Sequence, residues 1–372
     1  MKVALDVSAV PTQVAGAGRY IVEVARRLPE RNVTTTLVTR RDDTERWAAI
    51  SPAANLAALV PSSRATRLAV EAYLLGASAT AKENDVWHAP HYTMPRRHST
   101  PCVVTIHDLT FFTNPEWHER SKVAFFRRAI TFSVQHASVL ISVSDFTARL
   151  IEETFPQHAP IVVAPLGVEL DVFTPDSSFD GDLFERHGLP PPGSSYILFV
   201  GTVEPRKGLD LLLDAFSAVA RQDDVVELWL CGQVGWGEGP VEEVLRTHPY
   251  GARIRRLGFV HDDLLPGLYR GARVVAYPSR GEGFGLPVLE AMACGATVVT
   301  SADTVMAEVA GDEAYLTPVG DASALADALV VALDETSVER AERGVRARRR
   351  ASGFTWERCL DQHQRAYDLA LS

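Results

Sequence analysis

Short apolar runs alternate along the chain with longer amphipathic stretches, the pattern that βα units produce when they stack into a parallel sheet. One series of strands is predicted at Lys2–Val7, Thr34–Val38, Val86–Ala89, Val103–Ile106, Val139–Val143 and Ile161–Ala164. A second is predicted at Tyr196–Val200, Glu227–Cys231, Ile254–Leu257, Val274–Tyr277, Thr297–Thr300 and Ala314–Leu316. Between them, Phe173–Ser195 collects Pro175, Ser177, Ser178, Gly181, Pro190, Pro191, Pro192 and Gly193, residues that punctuate rather than continue an element. Phe354, Trp356, Leu360, His363, Tyr367 and Leu371 recur at roughly helical spacing and read as a closing helix. The expected fold class is therefore α/β: two doubly wound parallel-sheet domains facing a cleft, with ligands at the carboxyl ends of the strands. The expected boundaries are 1–175, a linker over 176–195, a second domain over 196–353, and a helix over 354–372 that packs back on the first domain.

A length of 372 residues agrees with two domains, since single cores stop growing at roughly 250–300 residues. Hydrophobic residues make up 46% and charged residues 23%, with mean hydropathy near zero, so there is material for two cores. The formal charge of −10 disfavours a nucleic-acid binder, whose footprint is a basic domain. Most of that charge lies in the second half, where 18 basic face 26 acidic side chains, against 19 and 21 in the first 186 residues. Lys207 is the only lysine of the second half, which otherwise uses arginine as its cation. Cys102, Cys231, Cys294 and Cys359 are too dispersed for a zinc site and read as small buried hydrophobes of a reducing compartment. Asp6 interrupts the apolar start too early for a signal peptide, and no window offers 18 apolar residues for a membrane span. The expected location is the cytoplasm.

The densest chemistry follows the strand Val274–Tyr277. Glu282-Gly-Phe-Gly-Leu-Pro-Val-Leu-Glu290-Ala-Met-Ala-Cys-Gly295 places glycines where backbone must approach closely and Pro287 in a first helical turn. The amides of such a helix start carry about half a positive charge and favour an anion, most often phosphate. Two carboxylates in that setting suit hydroxyls rather than the phosphate itself, as acidic residues bind ribose in dinucleotide sites. A second signal, Phe199-Val-Gly201-Thr-Val-Glu204-Pro-Arg206-Lys207-Gly208, sets adjacent cations at the carboxyl end of another strand. Together they are able to neutralise a diphosphate, the guanidinium bidentately and the ammonium as a compact charge.

Glu282-x7-Glu290 with Ala-Met-Ala-Cys-Gly, Glu204-Pro-Arg-Lys-Gly208, Ile106-His107-Asp108-Leu109 and Pro165-Leu-Gly-Val-Glu169 together resemble the retaining glycosyltransferases of family 4, which have the GT-B fold. The resemblance runs over nearly the whole chain, and the Glu-x7-Glu loop is its most specific part. It implies that a nucleoside-diphosphate sugar binds mainly to the C-terminal domain and the acceptor mainly to the N-terminal one. Carried over residue by residue, Glu282 would hold donor-sugar hydroxyls and Glu290 the ribose. Phe284, Gly285 and Leu286 would offer backbone amides, and Arg206 and Lys207 would stabilise the departing diphosphate. Val260 and Thr202 join the donor side; Thr202 stands where many members carry an arginine, so the cationic clamp rests on Arg206 and Lys207. His107 would lie beside the anomeric carbon, Asp108 and Tyr92 on the acceptor side, and Gly16 and Gly18 in the glycine loop under the donor phosphates. Retention is attributed in this family to attack from the face the diphosphate leaves, so no protein nucleophile is required, and no metal or other cofactor is expected. The run looks most like mannosyl or rhamnosyl transferases of polysaccharide assembly, which makes GDP-mannose the first choice of donor.

Other signals carry less. Asp180-Gly-Asp182 matches a metal-binding Asp-x-Asp but follows no strand. The arginines at 340, 343, 346, 348, 349 and 350 are interleaved with Glu335, Glu339 and Glu342 and read as a solvated helix face. Trp117–Arg128 interleaves Trp117, Phe125 and Phe126 with Arg120, Lys122, Arg127 and Arg128, the composition of a segment that packs its aromatics or rests on a membrane bearing a lipid-linked acceptor. Three other functions are open to this pattern. They are a UDP-sugar 2-epimerase, a dinucleotide-dependent dehydrogenase, which would need a Gly-x-Gly-x-x-Gly that neither leading strand supplies, and a non-enzymatic sugar-nucleotide sensor.

Overall fold

A strand at the middle of a parallel sheet is covered on both faces and reads as an unbroken apolar run. β1 (Lys2–Asp6) does so, with Val3, Ala4 and Leu5 fully buried. The computed structural model describes residues 1–372 except 13, 15, 64, 65, 67–69, 71–73, 177, 179, 190–194 and 234–237, and describes 182, 183 and 238–242 by backbone alone. The chain divides into two compact units, Met1–Gly167 with Trp356–Ser372, and Val168–Thr355.

In the first unit, β1, β2 (Thr34–Arg40), β3 (Asn55–Val60), β4 (Val86–Ala89), β5 (Cys102–Ile106), β6 (Val139–Ser142) and β7 (Ile161–Val163) form a parallel sheet in the order β3-β2-β1-β4-β5-β6-β7. The strand order reverses between β1 and β4. β3 was not among the expected strands. Asn55-Leu-Ala-Ala-Leu-Val is poor in β-branched residues, and as a sheet edge it is only partly covered, so its pattern is weak. The helix Ala17–Arg27 buries Tyr20, Ile21, Val24 and Ala25. The helix Trp356–Leu371 belongs to this unit and buries Trp356, Cys359, Leu360, His363, Ala366 and Tyr367 at helical spacing. It is held by polar contacts inside the core. Tyr20 Oη lies 2.7 Å from His363 Nε2 and 2.8 Å from Thr105 Oγ1, while His88 meets Tyr367 Oη at 2.9 Å and Thr105 Oγ1 at 2.9 Å.

In the second unit, β8 (Tyr196–Val200), β9 (Glu227–Cys231), β10 (Ile254–Gly258), β11 (Val274–Tyr277), β12 (Val298–Ser301) and β13 (Tyr315–Thr317) run parallel in the order β10-β9-β8-β11-β12-β13, reversing between β8 and β11. The helix Leu209–Gln222 covers one face with Leu212, Leu213, Phe216 and Val219. Residues 168–175 and the helix Asp180–Arg186 group with this unit, so the stretch expected as a linker is partly folded. Phe184 is buried, and Arg270 clasps Asp180 with Nε at 2.8 Å and a terminal nitrogen at 2.5 Å. Ser177 and Pro190–Gly193, on which part of the linker reading rested, lie outside the described residues.

The arginine run is also corrected. Arg343 bonds Glu335 at 2.5 Å and Arg346 bonds Glu313 at 3.0 Å. Arg348 donates to the carbonyls of Leu170, Phe173 and Ala293, and Arg350 to those of Glu308 and Val309. Ala293, Glu308 and Val309 stand in the last turns of the helices Leu286–Ala293 and Val305–Ala310, where carbonyls look outside their own helix for donors. Arginine is needed there for its forked donors, so these side chains cap neighbouring helices rather than form a solvated face.

Candidate active site

In the second unit the loops leaving β8 and β11 meet at the reversal point, where a doubly wound sheet opens for a ligand. Gly208 makes the meeting possible: its φ is +69°, and a Cβ there would stand 2.1 Å from the carbonyl oxygen of Pro278. The amide of Arg280 and the hydroxyl of Ser279 both donate to the carbonyl of Arg206, at 2.7 and 3.0 Å. The loops thereby bring together Arg206, Lys207 and Glu282, three of the residues singled out in the sequence. Arg206 donates to Glu282 Oε2 at 2.6 Å and pairs with Glu204 at 2.8 Å. Lys207 Nζ donates to Glu282 Oε1 at 2.5 Å and to Tyr277 Oη at 2.7 Å. Tyr277 donates to the same Oε1 at 2.9 Å, and Ser279 shares its single hydroxyl proton between that oxygen, also at 2.9 Å, and the Arg206 carbonyl.

Burial alone would raise the Glu282 pKa, but Arg206 and Lys207 beside it hold the carboxyl down at about 2. Burial lowers the Lys207 pKa, and the Glu282 charge opposes that fall. Oε1 accepts from Lys207 and Tyr277 and has the Ser279 hydroxyl beside it, whereas Oε2 accepts from Arg206, so Oε2 is the oxygen with more capacity for a sugar hydroxyl. Two of the three Lys207 ammonium protons are used, and the third has no protein acceptor among the described residues.

Glu282 leads directly into the helix Leu286–Ala293, whose N-cap Gly285 sits at φ 100°. The amides of Phe284, Gly285 and Leu286 have no hydrogen-bond acceptor among the described residues, and the helix dipole adds to their positive end. Phe284 itself is buried edge-on against Phe354. Glu290, one turn further on, is buried and accepts the Tyr269 hydroxyl at 3.0 Å. At the carboxyl end of β9, burial and, after it, the Glu290 charge push the Cys231 thiol up to about 12. A cavity of about 410 Å³ opens there, lined by Gly201, Gly232, Gln233, Arg256 and Phe259 among others. Thr202 and Val260 follow Gly201 and Phe259 in the chain and are half-buried.

The first unit gathers the other singled-out residues. His107 is buried at the end of β5, and its Nε2 lies 2.8 Å from the Pro90 carbonyl. A carbonyl only accepts, so Nε2 carries the proton. Burial lowers the ring's pKa and keeps it neutral, which leaves Nδ1 with its lone pair. Tyr20 and Tyr92 flank the ring edge-on at 5.1 and 5.6 Å. Tyr92 donates to Asp108 Oδ2 at 2.8 Å, while Asp108 Oδ1 accepts the amide and hydroxyl of Thr110 at 3.0 and 2.6 Å. Asp108 and Tyr92 are thus next to His107 and bonded to each other. Gly16, at φ +50°, caps the helix that holds the buried Gly18.

Sequence reasoning gave no role to Tyr277, Ser279, Glu204 or Tyr269. The first three lie within or beside the quoted motifs. Tyr269 had no signal of its own, because only the fold brings it to Glu290. Among the described residues no group of three His, Cys, Asp or Glu side chains is placed to hold a metal ion.

Residues 194–335 match the family described as Glycosyl transferases group 1, and residues 14–172 match Glycosyltransferase Family 4. Over 391 residues the chain is 31% identical to the O-antigen chain mannosyltransferase B of Escherichia coli, an alignment that covers 99% of this chain and 100% of that one. The chain belongs to glycosyltransferase family 4. Its two parallel-sheet units give the family 4 enzyme a GT-B fold, shared with sucrose-phosphate synthase of Thermosynechococcus elongatus at a TM-score of 0.77 and 21% identity over 99% of both chains. The Anabaena protein HepE, solved in complex with UDP-glucose, has a TM-score of 0.76 at 20% identity, over 99% of this chain and 98% of that one. This family 4 member is a glycosyltransferase in which both carboxylates of the Glu-x7-Glu loop are buried among hydrogen-bond donors.

Proposed function

We propose that this glycosyltransferase is a retaining hexosyltransferase, drawing its sugar from a nucleoside diphosphate and passing it to a hydroxyl of a saccharide, lipid-linked or small-molecule acceptor. Mannose from GDP-mannose is the first choice, supported by the mannosyltransferase of Escherichia coli among its relatives; a UDP- or dTDP-sugar is the alternative. The observation that carries the reading is the Arg206–Lys207–Glu282 cluster beside the open amides of Phe284, Gly285 and Leu286. The unused Lys207 proton, the Arg206 guanidinium and those amides suit a diphosphate, and they would oppose the charge that grows on it as the glycosidic bond breaks. Glu290 suits a ribose hydroxyl pair, and Glu282 Oε2 a hydroxyl of the sugar. Gly16 and Gly18 are assigned to the donor phosphates, Thr202 and Val260 to the donor side of the second unit.

Glu282, with its pKa held down at about 2 by Arg206 and Lys207 and with Oε1 occupied by Lys207 and Tyr277, is a poor proton carrier and a poor nucleophile. In the proposed reaction the acceptor oxygen therefore bonds to the anomeric carbon on the face the diphosphate leaves, and a departing phosphate oxygen takes the acceptor's proton. No metal is required. Neutral His107 offers Nδ1 to a hydroxyl of the sugar or the acceptor. Four buried free cysteines fit a reducing cytoplasm, at the inner membrane face when the acceptor is lipid-linked. No described helix is long and apolar enough to cross a membrane.

The test is a panel of GDP-, UDP- and dTDP-sugars with saccharide acceptors, read by nucleoside diphosphate release and by the anomeric configuration of the product. GDP-mannose turnover with the α configuration kept is expected. Inversion would overturn the mechanism, epimerised donor would indicate the 2-epimerase, and binding without nucleoside diphosphate release would indicate a sensor.

A further inference from the structure

The helix Arg120–His136 has two faces of different character. Ile130, Ser133 and Val134 are fully buried against the sheet of the first unit, and Phe126 stacks on Phe111 at 4.5 Å. Ser121, Phe125, Arg128 and Phe132 fall at i, i+4, i+7 and i+11, a single stripe along the helix. That stripe lines a cavity of about 390 Å³, a volume that suits a small organic ligand. Met94 and Arg96, which follow β4, and Asp6, which ends β1, line it too, so the cavity lies where the strand order of the first sheet reverses.

The lining is of two kinds. Met94 is buried, Phe132 packs partly into the core, and Phe125 is 41% exposed, so one part of the wall is apolar. Arg96 and Arg128 supply the other part. Both are exposed, and neither guanidinium has a hydrogen bond or an ion pair among the described residues, so both are available to a ligand. Arg96 lies over the Phe132 ring at 5.3 Å, which holds its charge at the cavity. Asp6 accepts the amide and hydroxyl of Ser8, at 3.1 and 2.7 Å.

We propose that this cavity binds a phosphate carried on an apolar chain, with Arg96 and Arg128 on the phosphate oxygens and Phe125, Phe132 and Met94 against the chain. A guanidinium matches phosphate bidentately, and two of them in a chain of charge −10 form a local exception to its acidity. An uncharged chain would leave both arginines unmatched, and a bare phosphate would leave the aromatic wall in water. On the sugar-transfer reading the ligand is the anchor of a lipid-linked acceptor. The inference rests on that reading only for this assignment, since binding is measured without turnover.

The experiment is calorimetry on the full chain with decyl phosphate as the probe, held below its micellar concentration, against decanol, inorganic phosphate and glucose 6-phosphate. Decyl phosphate is expected to bind about tenfold or more tightly than any of the three, and added salt should weaken it. The Arg96→Gln/Arg128→Gln double variant, with unchanged circular dichroism, should lose about tenfold or more in affinity for it. Phe125→Ser should weaken decyl phosphate and leave inorganic phosphate unchanged. Equal binding by the double variant, decanol as tight as decyl phosphate, or glucose 6-phosphate as tight as either would overturn the proposal. So would arginine-dependent sedimentation with phosphatidylglycerol vesicles without any binding of decyl phosphate, which would instead mark a membrane-resting surface. If no donor turns over while decyl phosphate binds through the arginines, the transfer reading falls and the cavity stands; turnover with no decyl phosphate binding gives the reverse.

Discussion

Lys207 Nζ lies 2.5 Å from Glu282 Oε1, and the two side chains are 11% and 9% exposed. A pair this well covered is weak evidence for stability, but breaking it leaves a buried charge unmatched. Glu282→Ala strands Lys207 beside Arg206 and is expected to destabilise the protein by about 3–5 kcal/mol. It should also cut transfer by about 10²–10³, the loss typical of one electrostatic stabiliser. Glu282→Gln keeps the shape and should lose less stability while still losing rate. Thermal unfolding and initial rates on the same samples check this, and a wild-type rate for Glu282→Ala would remove the residue from the site.

Acid sensitivity should come from the first unit. Burial lowers the His363 pKa to about 4 and lowers that of His88 well below its ordinary value. The unfolded chain takes up a proton near pH 6.5 that the folded chain refuses. The His363 contribution is therefore complete above pH 6.5 and is lost as pH falls from there to about 4, by roughly 3 kcal/mol in total. Urea midpoints measured from pH 8 to pH 4 should fall across that window in the wild type and less steeply in His363→Gln. A flat wild-type profile between those values would contradict the buried neutral ring.

The strands and the Glu-x7-Glu loop were legible because both are local patterns: unbroken apolar runs, and glycines opening a helix. β3 was not, since Asn55–Val60 is an alanine-containing edge strand whose exposed side blurs the period. Arg348 and Arg350 were misread because charge spacing on a helix does not reveal which backbone carbonyls of neighbouring elements a side chain will reach. In the stretch Trp117–Arg128 the aromatic and basic residues divide, with Phe126 and Arg127 turned toward the core and Phe125 and Arg128 toward the cavity, a division the alternating composition does not show. Glu282 was read as a sugar ligand from its position in the motif. Its direct hold on Arg206 and Lys207, with Tyr277 and Ser279 at the same carboxylate, depends on two loops that approach only in three dimensions.

Chelation should leave the reaction alone. The proposed counter-charges for the diphosphate are Arg206, Lys207 and the Leu286 helix start, while Asp180 of the Asp-x-Asp stretch is held by Arg270. EDTA is expected to change the transfer rate by less than about twofold. Loss of activity restored by a divalent cation would replace the proposed leaving-group chemistry with a metal-bridged one.

The segment before Gly16 is held by a triad of charges. Asp43 is buried and accepts Arg40 at 3.0 Å, Arg46 at 2.6 and 2.8 Å and the Trp47 indole at 3.2 Å. The two guanidiniums reach on to the carbonyls of Ser8 at 3.1 Å, Val10 at 3.0 Å and Pro11 at 2.8 Å. Three backbone oxygens of one loop are thus fixed through a single carboxylate, and Lys in place of either arginine lacks the fork to hold them. Asp43→Asn should free Ser8–Pro11, raising amide hydrogen exchange there while the second unit and its nucleotide affinity stay unchanged. If the loop positions substrate, transfer should fall about tenfold with nucleoside diphosphate binding intact. Unchanged exchange at residues 8–11 would show that the loop is held by its own geometry and that the triad only packs.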